Sequence, residues 1–345
     1  MSPASSSAPE PAAPRAAIFG CAGTTLAAEE RAFFRDADPI GFILFQRNCE
    51  SPDQLRRLVA DLRDTVGRGE APVLIDQEGG RVARLKPPHW RAYPAAERIA
   101  ALGAAAPEGA RLVSRLIAGD LAALGITVDC LPVLDLRIPG ADAVIGDRSY
   151  GAAPQEVALL GREAAEGLLE GGVLPVVKHI PGHGRGTVDS HLACPVVDTG
   201  RHELELTDFA PFRTLRDMPW AMTAHIVYSA LDAERPATLS AAVIAQAIRG
   251  AVGFDGVLLS DDLSMQALGG SMGERATAAM AAGCDLVLHC NGRMDEMVAV
   301  ASATGPVTAV AQRRLADGEA MRRRAAVPLD RPALEARFTA LFGTS

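Results

Sequence analysis

Short apolar runs of β type alternate along the chain with Ala-, Leu- and Arg-rich segments of helical period. The runs are AAIFG (16–20), IGFILF (40–45), PVLID (72–76), ITVDCLPVLD (126–135), VLPVVKH (173–179), WAMTAHI (220–226), GVLLSDD (256–262) and CDLVLHC (284–290). This alternation is typical of repeated βα units around a parallel sheet.

The segments between the runs carry helix signals. SPDQLRRLVADLRDTVG offers Ser51 as an N-cap, and PQEVALLGREAAEGLLEGG ends on a glycine pair. Eight βα units in about 330 residues predict an α/β fold, a single (β/α)8 barrel of the TIM type over residues 16–345. Residues 1–15 are predicted to be a disordered N-terminal tail. A doubly wound open sheet is the alternative.

Composition narrows the class of partner. The chain has a formal net charge of -8 and a pI near 5.4, which favours neither nucleic acid nor an anionic membrane and suits a neutral, sugar-like substrate. No apolar run approaches the roughly 20 residues that a bilayer requires. The first fifteen residues lack the basic and apolar regions of a signal peptide, so we expect a cytoplasmic protein. The six cysteines are scattered without CxxC spacing, so we expect free thiols, and we expect a monomer.

Polar residues lie at the carboxyl ends of the predicted strands. They are Asp76, Asp135, Lys178, His179, His225, Asp261 and Asp262. In a (β/α)8 barrel these ends form one rim, and polar groups on that rim are typical of a catalytic site. Caps or satisfied buried polar groups could explain single members of the set but not all of them together.

The rim can supply the chemistry of glycoside hydrolysis, in which one group protonates the leaving oxygen and a carboxylate attacks or activates water. Asp261 directly follows VLLS and is the candidate carboxylate. Asp262 should point the other way and cap a helix that begins at Ser264 and Met265.

The segment KHIPGHGRGTVDSH (178–191) is the densest polar stretch. Gly182, Gly184 and Gly186 predict a flexible loop that can swing. Asp189 and His191 lie at i and i+2, so in an extended stretch the carboxylate can orient the imidazole and favour its protonated form. A histidine paired in this way can act as a general acid at neutral pH.

Three other interpretations of this segment remain. A phosphate loop would place its lysine after the glycines, whereas Lys178 precedes them. A metal site could use His179, His183 and His191, although their spacing matches no helical zinc pattern. A purely structural loop would leave Lys178 unexplained at a strand end.

The motifs resemble those of glycoside hydrolase family 3, in the branch of β-N-acetylhexosaminidases that recycle bacterial cell wall. The resemblance runs from about residue 16 through most of the chain and is to the short, single-barrel members of the family. Its segments are KHIPGHGRGTVDSH, GFILFQRN, LIDQEGGRVARL, LGITVDCLPVLDL, IGDRSY, MTAHIVY, PATLS and LLSDDLSM.

The resemblance implies a role for each matching residue. Asp261 would be the nucleophile that forms a covalent glycosyl-enzyme, and His191, with Asp189 as dyad partner, would be the acid and then the base. The sugar-binding positions would be Asp76, Arg84, Arg148, Lys178 and His179. The mechanism would be retaining, without metal or organic cofactor, on an N-acetylglucosaminide such as a muropeptide.

Four alternatives stay open. A histidine acid/base does not repel phosphate, so a phosphorylase is possible in principle. A chitooligosaccharide-directed hexosaminidase, a sugar-binding barrel without turnover and a metal-dependent hydrolase on the same fold are the others.

Overall fold

Eight parallel strands close into a barrel in the computed structural model, which describes residues 13–190 and 193–343. The barrel strands are β1 Arg15–Gly20, β2 Pro39–Leu44, β3 Val73–Ile75, β4 Val128–Asp129, β5 Leu174–Ile180, β6 Trp220–Thr223, β7 Val257–Asp262 and β8 Leu286–His289. Each strand pairs with the next in sequence, and β8 pairs with β1, for example Ala17 with Val287. The predicted (β/α)8 barrel is therefore confirmed.

Helices follow the strands and surround the barrel. They are α1 Ala28–Ala37, α2 Pro52–Thr65, α3 Ala96–Ala100, α4 Ala106–Ala122, α5 Pro154–Glu170, α6 Arg201–Leu206, α7 Ala210–Thr214, α8 Ala241–Val243, α9 Met272–Ala282, α10 Met294–Ala303, α11 Ala309–Ala325 and α12 Arg331–Phe342. A π-helix, Ile244–Val252, continues α8. Both helices singled out in the sequence are confirmed: Ser51 caps α2 by accepting a hydrogen bond from the Gln54 N–H, and α5 ends before a glycine pair.

Two apolar layers hold the barrel together, and they follow the period-2 alternation of its strands. Ala16 and Ile18 of β1 point into the barrel, whereas Ala17 and Phe19 pack in the layer between the sheet and the helices. Leu315, on α11, packs against the inner layer. The interior is a packed core, so ligand chemistry is confined to the barrel mouth.

The run at 126–135 is a much shorter strand than its apolar character suggests. Regular pairing covers only Val128–Asp129, and beyond it the chain returns to β5 through an isolated bridge between Val133 and Lys178. Pro132 interrupts the ladder because it has no N–H to donate. The irregular stretch that follows brings Asp135 to the barrel mouth.

Neither a membrane-spanning helix nor a complete N-terminal tail is seen in the part of the chain that the structure describes. Within residues 13–190 and 193–343, no helix is both long and apolar enough to cross a membrane. The N-terminal tail predicted over residues 1–15 lies mostly outside the described residues, because residues 1–12 are not among them. Its last residue, Arg15, is the first residue of β1. At the other end, α12 packs on α4 with Phe338 buried.

Candidate active site

One cavity of about 490 Å³ opens where the barrel strands end. Seven of the eight predicted site residues line it: Asp76, Arg84, Arg148, Lys178, His179, Asp189 and Asp261. The eighth, His191, lies outside the described residues. The fold thus brings together side chains that are up to 185 positions apart in the sequence, from Asp76 to Asp261.

Asp76 follows β3 and is held between two cations. Its Oδ1 accepts a hydrogen bond from Lys178 Nζ at 2.9 Å, and its Oδ2 accepts one from Arg84 Nη2 at 2.9 Å. Burial alone would raise the pKa of Asp76, but the charges of Lys178 and Arg84 outweigh it and hold the pKa well below its usual value. Asp76 is therefore an ionised acceptor that can take hydrogen bonds from sugar hydroxyls.

Glu78 is a site residue that the sequence analysis missed. It accepts two hydrogen bonds from Arg148, Nε to Oε2 and Nη2 to Oε1, each 2.8 Å long, and its Oε1 lies 2.6 Å from Lys178 Nζ. Burial would raise the pKa of Glu78, but Arg148 and Lys178 lower it to about 2. The available signal was its i+2 spacing from Asp76, which in an extended chain places both carboxylates on one face.

A short hairpin presents Glu78 and Arg84 to the cavity. Strands Gln77–Gly79 and Val82–Ala83 pair antiparallel, and Gln77 Oε1 accepts the N–H groups of Arg84 and Leu85 at 2.9 Å each. Gly79 has a φ of +96°, a conformation that favours glycine, at the turn. The motif LIDQEGGRVARL therefore encodes a rigid support as well as side chains that line the cavity.

Lys178 joins the two carboxylates. Its side chain is 2% exposed and contacts both Asp76 and Glu78. Burial would lower the pKa of Lys178, but the two carboxylates raise it above its usual value. The pKa of Arg148 is raised in the same way, because Glu78 outweighs burial. Both cations therefore remain charged donors at the cavity wall.

Asp135 orients the histidines of the signature segment. It is completely buried, and its Oδ2 lies 2.6 Å from Nδ1 of His179 while its Oδ1 accepts the backbone N–H of His183 at 2.6 Å. Burial would raise the pKa of Asp135, but His179 lowers it, so the carboxylate is ionised. It accepts a hydrogen bond from the Nδ1–H group of His179. The ring orientation of His179 is thereby fixed, and Nε2 is the nitrogen that Asp135 does not engage.

Asp261 lies near the end of β7 and lines the cavity, as predicted. Its Oδ1 accepts the Asp262 N–H at 2.8 Å. Burial would raise the pKa of Asp261, but His179, the hydrogen bond from the Asp262 N–H and the charge of Lys178 contribute to a net lowering. The carboxylate is therefore ionised, which is the form a nucleophile requires.

The predicted role of Asp262 as a helix cap is wrong. Asp262 Oδ1 accepts the backbone N–H of Ser264 at 3.0 Å, but residues 263–270 form turns and no helix starts there. The next helix, α9, begins at Met272 with Ser271 as its N-cap. The side chain also accepts the Cys290 N–H at 3.1 Å, so Asp262 ties β7 to the end of β8 rather than capping a helix.

Two glycines of the signature segment pack against other parts of the chain, at positions where the sequence predicts a flexible loop. A Cβ at Gly184 would lie 2.1 Å from the Leu136 carbonyl oxygen, and Gly182, with a φ of +144°, lies against Asp208. At these two positions glycine permits close contact with another part of the chain, which restrains the backbone at residues 182 and 184. Asp189, further along, lines the cavity.

His225 lies just after β6, near the rim of the barrel, but its side chain does not line the cavity. It is buried, and its Nε2 donates to the Asp262 carbonyl oxygen at 3.0 Å while its Nδ1 lies 2.7 Å from Thr238 Oγ1. Burial lowers the pKa of His225, so the ring is neutral. Its contribution is to hold the end of β7 that carries Asp261.

The metal interpretation gains no candidate ligand set within the described residues. Residues 13–190 and 193–343 contain no group of three or more His, Cys, Asp or Glu side chains placed to hold a metal ion. The set considered from the sequence includes His191, which lies outside those ranges. Its other two members have partners, since Asp135 holds His179 and His183 contacts Ser190.

Comparison with known proteins gives the family. The model of the glycosyl hydrolase family 3 N-terminal domain matches residues 19–317. A β-hexosaminidase of Alkalilimnicola ehrlichii is 42% identical over 282 residues, which are 79% of this chain and 80% of that protein.

Solved structures agree in fold. NagZ of Neisseria gonorrhoeae, determined with N-trifluoroacetyl-D-glucosamine, superposes with a TM-score of 0.85 at 32% identity, covering 96% of this chain and 99% of that one. A family 3 β-N-acetylglucosaminidase of Paenibacillus sp. str. FPU-7 gives 0.83 at 33% identity, covering 94% of this chain and 67% of that one. The chain therefore belongs to glycoside hydrolase family 3, and within it to the β-hexosaminidases.

Proposed function

We propose that this β-hexosaminidase removes terminal β-linked N-acetylglucosamine by hydrolysis with retention of the anomeric configuration. The observation that carries the proposal is the single cavity in which an ionised Asp261 faces the same space as the cluster around Lys178. The similar Paenibacillus protein is a β-N-acetylglucosaminidase, and the similar Neisseria protein was solved with an N-acylated glucosamine, which supports this substrate class.

The proposed reaction has two steps. In the first, His191 donates a proton to the glycosidic oxygen while Asp261 forms a bond to C1, and the aglycone leaves. In the second, His191 takes a proton from water, the water oxygen attacks C1, and the bond to Asp261 breaks. Asp189 pairs with His191 and favours its protonated form before the first step.

The remaining residues hold the sugar. Asp76 accepts hydrogen bonds from hydroxyl groups, and the donors are Arg84, Arg148, Lys178 and His179. The 2-acetamido group is recognised but is not the nucleophile, because Asp261 supplies one. The proposed mechanism uses no metal or organic cofactor.

We further propose that the natural substrate is a muropeptide and that the enzyme acts in the cytoplasm as a monomer. All six cysteines are free thiols, which suits a reducing compartment. Burial raises the pKa of Cys21, Cys49 and Cys284 to about 12 each, so these thiols are inert.

Release of nitrophenol from the β-N-acetylglucosaminide and the β-glucoside, each with and without EDTA and phosphate, tests the activity. We expect turnover of the first substrate alone, unaffected by EDTA, with free N-acetylglucosamine as product. Formation of a sugar 1-phosphate would identify a phosphorylase, and loss to EDTA a metal enzyme. Saturable binding without turnover would identify a sugar-binding barrel.

The aglycone needs a direct competition. A muropeptide with terminal N-acetylglucosamine and N,N′-diacetylchitobiose, mixed at equal concentration, report the ratio of kcat/KM from the depletion of each. A higher ratio for the muropeptide supports the proposal. A preference for the chitobiose assigns the enzyme to chitooligosaccharides.

A further inference from the structure

His183 is the histidine of the signature segment to which the proposed mechanism assigns no role. It is 3% exposed, lines the cavity and places its ring 5.6 Å, centroid to centroid, from the ring of His179. Its backbone is fixed at both ends, because its N–H donates to Asp135 and its carbonyl accepts the Gly186 N–H at 3.0 Å. The ring therefore projects from a rigid base.

The ring of His183 reaches across to Ser190. Its Nε2 lies 3.1 Å from Ser190 Oγ, while its Nδ1 is buried and has no hydrogen-bond partner among the described residues. A buried N–H without an acceptor is rarer than a buried acceptor without a donor, so the proton belongs on Nε2 and is donated to Ser190. Burial and the neighbouring His179 lower the pKa of His183 to about 4, so the ring is neutral at neutral pH.

Ser190 is the point at which an exposed stretch re-enters the molecule. Thr187 and Val188 are exposed, whereas Ser190 is 3% exposed. The Ser190 carbonyl accepts the Ala267 N–H at 3.2 Å, which ties the same residue to the segment after β7. Ser190 thus joins the two sides of the cavity mouth, with its side chain on His183 after β5 and its backbone carbonyl on the segment after β7.

We propose that the hydrogen bond from His183 to Ser190 positions the neighbouring Asp189 at the cavity and thereby sets the efficiency of the proton-donating step. The inference rests on the proposed function, in which Asp189 serves the acid. His183 is a positioning residue, and one buried carboxylate, Asp135, then supports both the sugar-binding His179 and the segment that carries Asp189.

The test compares leaving groups that do and do not need a proton. We expect Ser190→Ala and His183→Leu each to lower kcat/KM for phenyl β-N-acetylglucosaminide by roughly tenfold, the value of one buried hydrogen bond. With the 2,4-dinitrophenyl glycoside, which leaves without protonation, the loss should stay below about twofold. The double variant should lose no more than either single variant, because both remove one contact.

Two variants separate positioning from folding. His183→Gln keeps an N–H donor near the Nε2 position and should recover most of the activity on the phenyl glycoside, and it carries the test together with Ser190→Ala if His183→Leu does not fold. Val188→Ala, an exposed change on the same segment, should match the unmodified protein. Equal losses on both substrates, or additive losses in the double variant, would contradict the proposal.

Asp189→Asn distinguishes this inference from the proposed function. If Asp189→Asn shows the leaving-group dependence and the His183 and Ser190 variants do not, the positioning role is wrong and the acid assignment stands. If Asp189→Asn shows none either, the proposed dyad is wrong.

Discussion

Replacing Glu78 by glutamine tests the charge balance of the ionised cluster around Lys178. The amide keeps the size of the side chain but removes the negative charge between Arg148 and Lys178, whose side chains are 11% and 2% exposed. Breaking a buried ion pair at one partner costs about 3–5 kcal/mol, because the remaining charge stays buried without compensation. Here that charge is Arg148, since Lys178 keeps its contact with Asp76. We expect Glu78→Gln to lower the free energy of unfolding by that amount at pH 7.

The lowered pKa of Glu78 gives a second value for its contribution to the free energy of unfolding, and the two values are similar. The pKa falls from an ordinary value of 4.5 to about 2 in the folded protein, a difference that corresponds to about 3 kcal/mol at neutral pH. A carboxyl whose pKa is depressed by folding stabilises the protein above its unfolded pKa, and the contribution disappears as the pH falls towards the folded pKa. The difference in unfolding free energy between the two proteins should therefore be about 1 kcal/mol smaller at pH 4 than at pH 7.

Urea unfolding at the two pH values provides the assay. Glu97→Gln is the matched control, since Glu97 also pairs with an arginine, Arg137, but its side chain is 50% exposed. The control should change the free energy of unfolding by less than about 1 kcal/mol. A Glu78→Gln protein as stable as the control at pH 7 would show that the charge of Glu78 does not stabilise the folded protein.

Three further changes test other parts of the site. Asp261→Ala should lower kcat by at least about a thousandfold while calorimetry still detects N-acetylglucosamine binding; turnover that persists would assign the nucleophile to another carboxylate. Lys178→Met should weaken N-acetylglucosamine binding at least roughly tenfold by calorimetry, since it removes a charged donor and leaves Asp76 and Glu78 with one cation each, Arg84 and Arg148. Gly184→Ala should cost about 1–3 kcal/mol in urea unfolding because its Cβ would meet a carbonyl oxygen at 2.1 Å, whereas Gly200→Ala, with nothing within 4 Å of the added atom, should cost little.

The barrel could be predicted from the sequence because its strands are short apolar runs with regular spacing. A closed parallel barrel places all strand ends on one rim, so the positions of Asp76, Lys178 and Asp261 followed from the strand assignment. The same reasoning predicted too long a strand at 126–135, because apolar character alone does not reveal that Pro132 interrupts the hydrogen-bond ladder.

The errors concern contacts made outside the local sequence. Asp262 has the side chain of a cap, but its partner Cys290 lies just beyond the end of the neighbouring strand β8, and no helix starts beside Asp262. A glycine such as Gly184 suggests a flexible loop when only the sequence is known. In the structure a side chain at this position would collide with the Leu136 carbonyl oxygen, so glycine serves packing there. Glu78 was missed because its role depends on Arg148, which comes from a separate loop.

The proposed mechanism requires Asp261 to form a covalent bond to C1 of the sugar. Incubation with 5-fluoro-N-acetylglucosaminyl fluoride, a substrate whose glycosyl-enzyme turns over slowly, followed by tryptic digestion and tandem mass spectrometry, measures this directly. We expect one added glycosyl group in the peptide 250–275, with fragment ions that assign it to Asp261. A label on Asp262 or on another carboxylate, or release of fluoride without any labelled peptide, would contradict it.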